Sequence, residues 1–377
     1  MNSAGFISSL LTAAVSLGFA RVSFAQQLPP IPTVFVIMME NTTWSAIKGN
    51  TNAPYVNGTL LPMASHCEFY HNLPDIHPSL PNYLWIEAGT NFGILNDGEP
   101  AQNHQNTTNH LSTLLDQAGI NWKAYQENIS GTSLPLITCC GFSVRHNPFV
   151  YFDDVTGTNT PTYPYGLAHV RPFSEFAGDL ANNRVARYNF IIPSDCDDMH
   201  TACYPIYNRI LQGDMWLANV VPAILNSQAF SNGAALFIVY DETDDDTDPM
   251  IPFLLLSRFA RGAGYASTNY YDHSSFLRTL QEILGVGPFL GGAATATNLS
   301  ELFLPFGLSS IERVPSGATR LTLSGITPGR TNVVEGSPDL VTWVPICTNV
   351  ATDTVMNVTD HAATNLTRRF YRFVEFR

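Results

Sequence analysis

Four apolar runs of this chain each end at side chains that can do chemistry. Residues 33–38 (TVFVIM) lead to Glu40-Asn41, and 234–240 (AALFIVY) lead to Asp241-Glu242. Residues 188–192 (YNFII) run into Ser194-Asp195-Cys196-Asp197-Asp198-Met199-His200, and 122–125 (WKAY) into Gln126-Glu127. Carboxylates brought together repel one another unless they take up protons or share a cation. Carboxylate and amide oxygens suit a hard divalent ion such as Mg, Ca or Mn. Each pair alone has a plainer reading. Glu40-Asn41 before Thr42-Thr43-Trp44 suits a helix cap. Asp241-Glu242 with Asp244, Asp245, Asp246 and Asp248 suits a solvated acidic loop, and EF-hand spacing is absent. The case for a metal centre rests on convergence.

A second segment is His77-Pro78-Ser79-Leu80-Pro81-Asn82-Tyr83-Leu84. Ser79 precedes a helix-like run, 83–88, with Pro81 near a first-turn position. A serine there suits a plain N-cap. The same helix start also suits an anion, because its free N–H groups and dipole attract phosphate. Next to a cation, the serine oxygen becomes a nucleophile.

These residues need a scaffold that delivers them to one edge. The unbroken apolar runs, with 253–257 (FLLLS) as a fifth, read as parallel strands covered on both faces. Helical patterns at 110–118, 207–226 and 273–284 lie between them. Alternating strands and helices predict a three-layer α/β/α, doubly wound, mostly parallel domain over 28–308. Such sheets bind ligands beyond the carboxyl ends of their strands. After Leu308 the pattern changes to short alternating stretches at 319–323, 331–335, 341–345 and 369–376. Turn signals lie at Pro328-Gly329 and Ser337-Pro338-Asp339. This predicts a small C-terminal all-β sandwich domain, 312–377, with Trp343 and Phe370-Tyr371 in its core.

Composition narrows the function. The 377 residues carry 31 acids against 18 bases, a net charge of −13, and the only lysines are Lys48 and Lys123. That balance excludes a nucleic-acid backbone partner and simple adsorption to anionic lipid. It permits a small phosphorylated substrate if a metal reverses the local field. Residues 1–25 read as a signal peptide: an apolar run over 6–20, then Ser23-Phe24-Ala25 as a cleavage site, although no Lys or Arg precedes Arg21. The protein is therefore expected to be exported, to the periplasm, cell surface or medium of a bacterium. No other stretch approaches a membrane span. Of the six cysteines, Cys196 and Cys203 close a short loop and are the best disulfide candidates, and Cys67 is a candidate partner for Cys139 or Cys140.

Taken in order, these segments resemble the phosphoesterase family of bacterial acid phosphatases and non-haemolytic phospholipases C, within the alkaline-phosphatase-like superfamily. The matching pieces are Glu40-Asn41, HPSLPNY at 77–83, WKAY at 122–125, RHNPF at 145–149, the 196–203 loop with Met199-His200, Gly213-Asp214-x-Trp216-Leu217, Tyr240-Asp241-Glu242, and YDHSSFLRT at 271–279. The resemblance implies an alkaline-phosphatase-like fold and hydrolysis of a phosphate ester through a phosphoserine. It implies Glu40, Asn41, Asp241 and Glu242 as ligands of one divalent ion (Mg, Ca, Mn, Zn or Fe). It makes Ser79 the nucleophile and gives Asn82 a non-bridging phosphate oxygen. His200 would stabilise the phosphoryl group or protonate the leaving oxygen. His77, His146 and His273 are further substrate-binding candidates. A small phosphorylated molecule or a phospholipid head group is the implied substrate.

One position departs from the family pattern. Met250 stands where a histidine usually precedes Ile-Pro, and a thioether serves a hard cation poorly. Asp246 or Asp248 would have to compensate. Otherwise the chain is a non-catalytic surface or binding protein on a degenerate hydrolase scaffold. The C-terminal segment resembles small β modules appended to exported planctomycete and verrucomicrobial proteins, which implies an accessory role.

Overall fold

The computed structural model describes residues 28–245, 247–366 and 368–376. The expected signal peptide, 1–25, lies outside the described residues. Residues 31–302 form one compact unit, and the chain from 303 onward belongs to another.

The larger unit is built on an eight-stranded sheet: β1 Val34–Met39, β2 Ser65–Cys67, β3 Trp122–Gln126, β4 Val170–Pro172, β5 Tyr188–Ile192, β6 Ala235–Tyr240, β7 Phe253–Ser257 and β8 Tyr265–Ser267. Their spatial order is β4-β3-β5-β1-β6-β7-β2-β8. From β4 to β6 every neighbour is parallel. Residues 253–257, expected to be parallel, are instead antiparallel to β6. The reason is local: the loop 241–252 holds no helix among its described residues, so nothing carries the chain back across the sheet face. The strands β2, β4 and β8 have three residues each, too few to show a period.

All six residues of β1 and of β6 are buried, so the two strands sit at the sheet's centre. Their register sets the site. Met39 pairs with Tyr240, so Glu40 and Asp241 emerge side by side at one edge. On the other flank Ile37 pairs with Ile191, which brings the loop after β5 to the same edge.

Four helices frame or support that edge: α1 Ser79–Ala88, α2 Leu111–Gln117, α3 Arg209–Leu225 and α4 His273–Leu284. Helix α1 stops at Gly89, whose φ is 70° and whose N–H bonds Trp85 O at 2.7 Å. Any Cβ at Gly89 would lie 2.4 Å from Leu290 O, so only glycine fits.

The smaller unit contains β9 Gly307–Arg313, β10 Thr319–Ser324, β11 Thr331–Ser337, β12 Val344–Val350, β13 Val355–Asp360 and β14 Phe370–Phe376. They form two antiparallel sheets, β13-β10-β9 and β12-β11-β14. Leu321, Leu323, Val334, Val358, Tyr371 and Phe373 fill the core. Phe370 and Tyr371 are buried as expected, but Trp343 is not a core residue. It sits half-buried in the turn before β12, with the Arg372 guanidinium 4.5 Å over its ring.

Candidate active site

The two central strand tips grip each other. Asn41 takes a φ of 26°, a conformation that asparagine tolerates better than most residues. In that pose its N–H donates to Asp241 Oδ1 (3.0 Å) and its Nδ2 to Glu242 Oε1 (3.0 Å). Arg209, at the start of α3, locks the same corner. Its guanidinium donates to Asn41 O (2.6 Å), to Met199 O (2.8 Å) and to the Asp244 carboxylate.

Helix α1 supplies the opposite wall. Ser79, Asn82 and Tyr83 are spaced i, i+3 and i+4, so they share one face. Ser79 Oγ donates toward Glu40 Oε2 (3.1 Å) and Glu242 Oε1 (3.3 Å). Tyr83 OH donates to Glu40 Oε1. Asn82 Nδ2 donates to Glu242 Oε2 (3.2 Å) and to the carbonyls of Ile76 (3.0 Å) and Pro78 (3.3 Å). Ser79, expected as an N-cap or nucleophile ahead of a helix at 83, is itself the first helical residue.

Burial dominates the electrostatics. Glu40 and Asp241 are fully buried and Glu242 is 3% exposed. Desolvation, then the charges of Asp241 and Asp198, pushes Glu40 well above the usual carboxylate range. Desolvation raises Asp241 to about 7, with Glu242 adding to it, and raises Glu242 to about 7, with Asp97 adding to it. Asn41 Oδ1 and Asp241 Oδ2 are buried without a hydrogen-bond partner. Costly carboxylates beside unpartnered oxygens fit a hard divalent ion held by Glu40, Asn41, Asp241 and Glu242.

A second donor cluster adjoins the first. One ligand atom each from His146, Asp195 and Asp198 lies within 4.8 Å of the others. His146 Nε2, Asp195 Oδ1 and Asp198 Oδ2 all lack a hydrogen-bond partner. Burial, reinforced by Arg145 and His200, holds His146 well below its ordinary pKa, so the ring is neutral and keeps a lone pair to offer. His146 Nε2 is 3.3 Å from Glu40 Oε1, and Tyr83 stacks on the His146 ring at 5.4 Å, so Glu40 stands between the clusters. One nitrogen and two oxygens form a donor set that could hold a divalent ion.

The other expected residues divide between the site and its supports. His77 Nδ1 contacts Glu242 Oε2 at 2.6 Å, which puts it at the site rim. His200 lies in the loop after β5, its ring 6.4 Å from His146 and its Nδ1 2.9 Å from Thr201 Oγ1. The Cys196–Cys203 disulfide closes that loop. His273 is fully buried, with Nδ1 on Tyr70 OH (3.0 Å) and Nε2 on the Asp241 carbonyl (2.6 Å), so both nitrogens are engaged in the fold and neither faces a substrate. Cys67 is buried in β2 and free, while Cys139 and Cys140 are exposed, so the pairing considered for Cys67 does not form.

Of the two acids expected to compensate for Met250, Asp248 turns away from the site. Asp248 bonds Ser45 Oγ (2.6 Å) and Met250 N (3.2 Å), and neither bond reaches the carboxylate cluster. Asp246 lies outside the described residues. His77 is the imidazole that meets Glu242. Tyr83, Arg145 and Arg209 had no site role assigned from the sequence; Asp195 and Asp198 were among the acids expected at the strand edge, but without His146 as their partner. Tyr83 had a signal, its i+4 spacing from Ser79. Arg209 meets two backbone carbonyls, Thr42 Oγ1 and Asp244 from three separate segments, and it had none.

Residues 60–287 match the family model described as the phosphoesterase family. The chain belongs to that family. By its description, this phosphoesterase is a phosphoric ester hydrolase. A phosphatidylinositol-3-phosphatase of Mycobacterium tuberculosis is 27% identical over 300 residues, covering 80% of this chain and 91% of that protein. An acid phosphatase of Aspergillus fumigatus is 28% identical over 60% of this chain, which spans only 50% of that protein. A non-hemolytic phospholipase C of Burkholderia pseudomallei is 21% identical over 63% of this chain, which spans 42% of that protein. A solved protein in the alkaline phosphatase superfamily from Vibrio parahaemolyticus aligns over 89% of this chain and 88% of its own, at 9% identity and a TM-score of 0.49.

Proposed function

We propose that this phosphoesterase is exported and hydrolyses a phosphate ester through a phosphoserine at Ser79. The observation that carries the reading is the Ser79 hydroxyl, 3.1 Å from Glu40 and 3.3 Å from Glu242. A divalent ion held by Glu40, Asn41, Asp241 and Glu242 would lower the serine's pKa and neutralise phosphoryl charge.

The chain's own residues do the rest. Ser79 Oγ attacks phosphorus in line, and the bond from phosphorus to the leaving oxygen breaks. Glu40 is the nearest acceptor for the serine proton. His200, which burial and the Arg145 charge push toward its neutral form, stabilises the phosphoryl group, and the leaving oxygen takes its proton from solvent. Arg145, next to His146 in the chain and with its Nε 3.3 Å from Asp97 Oδ2, offers its guanidinium to the non-bridging oxygens. Water then attacks the phosphoserine, releasing phosphate and restoring Ser79. Asn82 and His77 act by holding Glu242. Beside His77 lies a hollow of about 580 Å³, lined by His71, Asp75, Thr243 and Tyr270, and in this reading it takes the leaving group. Its polar and aromatic rim suits a phosphomonoester or a phospholipid head group, in keeping with the relatives' names. The Cys196–Cys203 disulfide supports an oxidising compartment.

The test is hydrolysis of mono- and bis-nitrophenyl phosphate, with and without chelator, by native protein and Ser79→Ala. Native turnover that chelation abolishes, and a folded but inactive variant, are expected. Full activity in Ser79→Ala would end the reading.

A further inference from the structure

Cys139 and Cys140 lie outside the proposed chemistry but next to its machinery. Residues 139–142 form a tight turn in which Phe142 N–H bonds Cys139 O at 2.9 Å. Cys140 and Gly141 both take positive φ, 59° and 85°. Such a φ is uncommon for a residue with a Cβ. Both cysteines are exposed, and their Sγ atoms are only 2.7 Å apart. That is closer than two unbonded sulfurs rest, and the pair needs only a small further approach to bond.

The turn is tied to the active site twice. Gly141 O accepts from Asp195 N–H at 3.1 Å, and Asp195 belongs to the His146 donor cluster. Thr138 Oγ1, on the residue before the pair, accepts from Val144 N–H at 3.1 Å and so caps the short turn that carries Arg145 and His146. A change in the 139–142 turn therefore reaches Asp195 through one bond and His146 through the chain.

We infer that Cys139 and Cys140 form a reversible vicinal disulfide whose state adjusts Asp195 and His146; the second half of this inference rests on the function proposed above. The oxidant class is a small-molecule disulfide. One cysteine thiolate attacks it, forming a mixed disulfide and releasing one thiolate. The neighbouring cysteine then attacks the protein sulfur and releases the second. The two cysteine protons pass to solvent or to the released thiolates, so one disulfide is reduced to two thiols as one forms in the protein. Consecutive Cα atoms are about 3.8 Å apart, below the roughly 4.4–6.8 Å that disulfides usually span. The bond is consequently strained and readily reduced, which is the property of a labile disulfide rather than a structural one. The Cys196–Cys203 pair, at a Cα separation of 5.6 Å, falls inside the usual span.

The test treats the full-length protein with oxidised glutathione or with mild reductant, then alkylates, digests and weighs the peptides. After oxidation the peptide holding residues 139 and 140 should be unalkylated and lighter by two hydrogens, and mild reductant should restore both alkylation sites while Cys196–Cys203 persists. Recovery of both thiols after oxidation, or a link from either cysteine to Cys67, overturns the pairing. Phosphatase rate and divalent-ion affinity should change several-fold between the two states and become redox-insensitive in Cys139→Ser and Cys140→Ser. A confirmed bond with unchanged rate and affinity overturns the coupling. The mass readout needs no activity, so failure of the pairing and failure of the proposed function are told apart.

Discussion

Tyr83 donates its phenolic hydrogen to Oε1 of Glu40, while Ser79, one helical turn earlier, points at Oε2 of the same carboxylate. One helix face thus fixes both oxygens of a buried acid. Tyr83→Phe removes one grip without changing shape. The expected result is a folded protein whose divalent-ion affinity or turnover falls roughly 10–100-fold, the usual cost of losing a partner that orients a ligand. Rates measured across a metal titration check it. An unchanged titration curve would mean that Tyr83 serves packing alone.

The carboxylates make stability pH-dependent when metal is withheld. Asp241 and Glu242 rise from ordinary values of 3.8 and 4.5 to about 7 in the fold. As pH rises, the unfolded chain loses these protons first, so the unfolded state binds fewer and stability falls. Through these two groups the chelated protein should therefore lose Tm between about pH 4 and pH 7, and they should add no further loss above that. A divalent ion binds the deprotonated carboxylates, so its stabilising increment should grow over the same window. Glu242→Gln should flatten both trends. Thermal melts at several pH values, with chelator and with added metal, measure this; an increment independent of pH would count against these ligands.

Much of this arrangement was legible because strand tips are punctuated by polarity. The unbroken apolar runs of β1, β5 and β6 marked buried central strands, and the polar residues after each marked the carboxyl edge. The helical pattern at 273–284 is helix α4, which the structure shows capped by Asp272 and ended by Gly285 in the left-handed conformation. What was hidden depends on distance in space. That β7 runs backward is decided by a loop without a helix, not by FLLLS itself. His273 was a candidate through the family resemblance alone, yet its ring faces the back of Asp241. Asp195 and Asp198 were visible as acids, but only the 144–146 turn, far off in sequence, gives them an imidazole.

That imidazole leads to a prediction about metal count. His146, Asp195 and Asp198 form a donor set separate from Glu40, Asn41, Asp241 and Glu242. Asp198→Asn keeps the shape and the Oδ1 that accepts from His200 N–H (2.8 Å), but removes a negative ligand. Calorimetric titration of zinc or manganese into metal-free native protein should show a second, weaker site that the variant lacks. A single site in both proteins would leave this cluster without a cation.

Helix α1 is also anchored at its far end. Glu87, 1% exposed, accepts from Ser112 N–H (2.7 Å), Ser112 Oγ (2.8 Å) and His110 Nδ1 (3.1 Å), while His110 Nε2 meets Asp154 (3.1 Å). Burial opposes charge on His110, but its bonds to Asp154 and Glu87 outweigh it and lift the ring from 6.5 to about 9. The charged ring's stabilisation is fully present below pH 6.5 and is lost as pH rises toward 9, because the folded state then gives up a proton the unfolded chain had already released. Glu87→Ala leaves these donors unpaired and should cost about 3 kcal/mol. In denaturant melts the native protein should weaken from pH 6.5 to 9, and the variant should start lower and show less of that decline. Because Ser79 opens this helix, turnover should fall with stability and recover in Glu87→Gln, which keeps an acceptor for Ser112; a variant as stable as native at pH 6.5 would remove the anchor from the account.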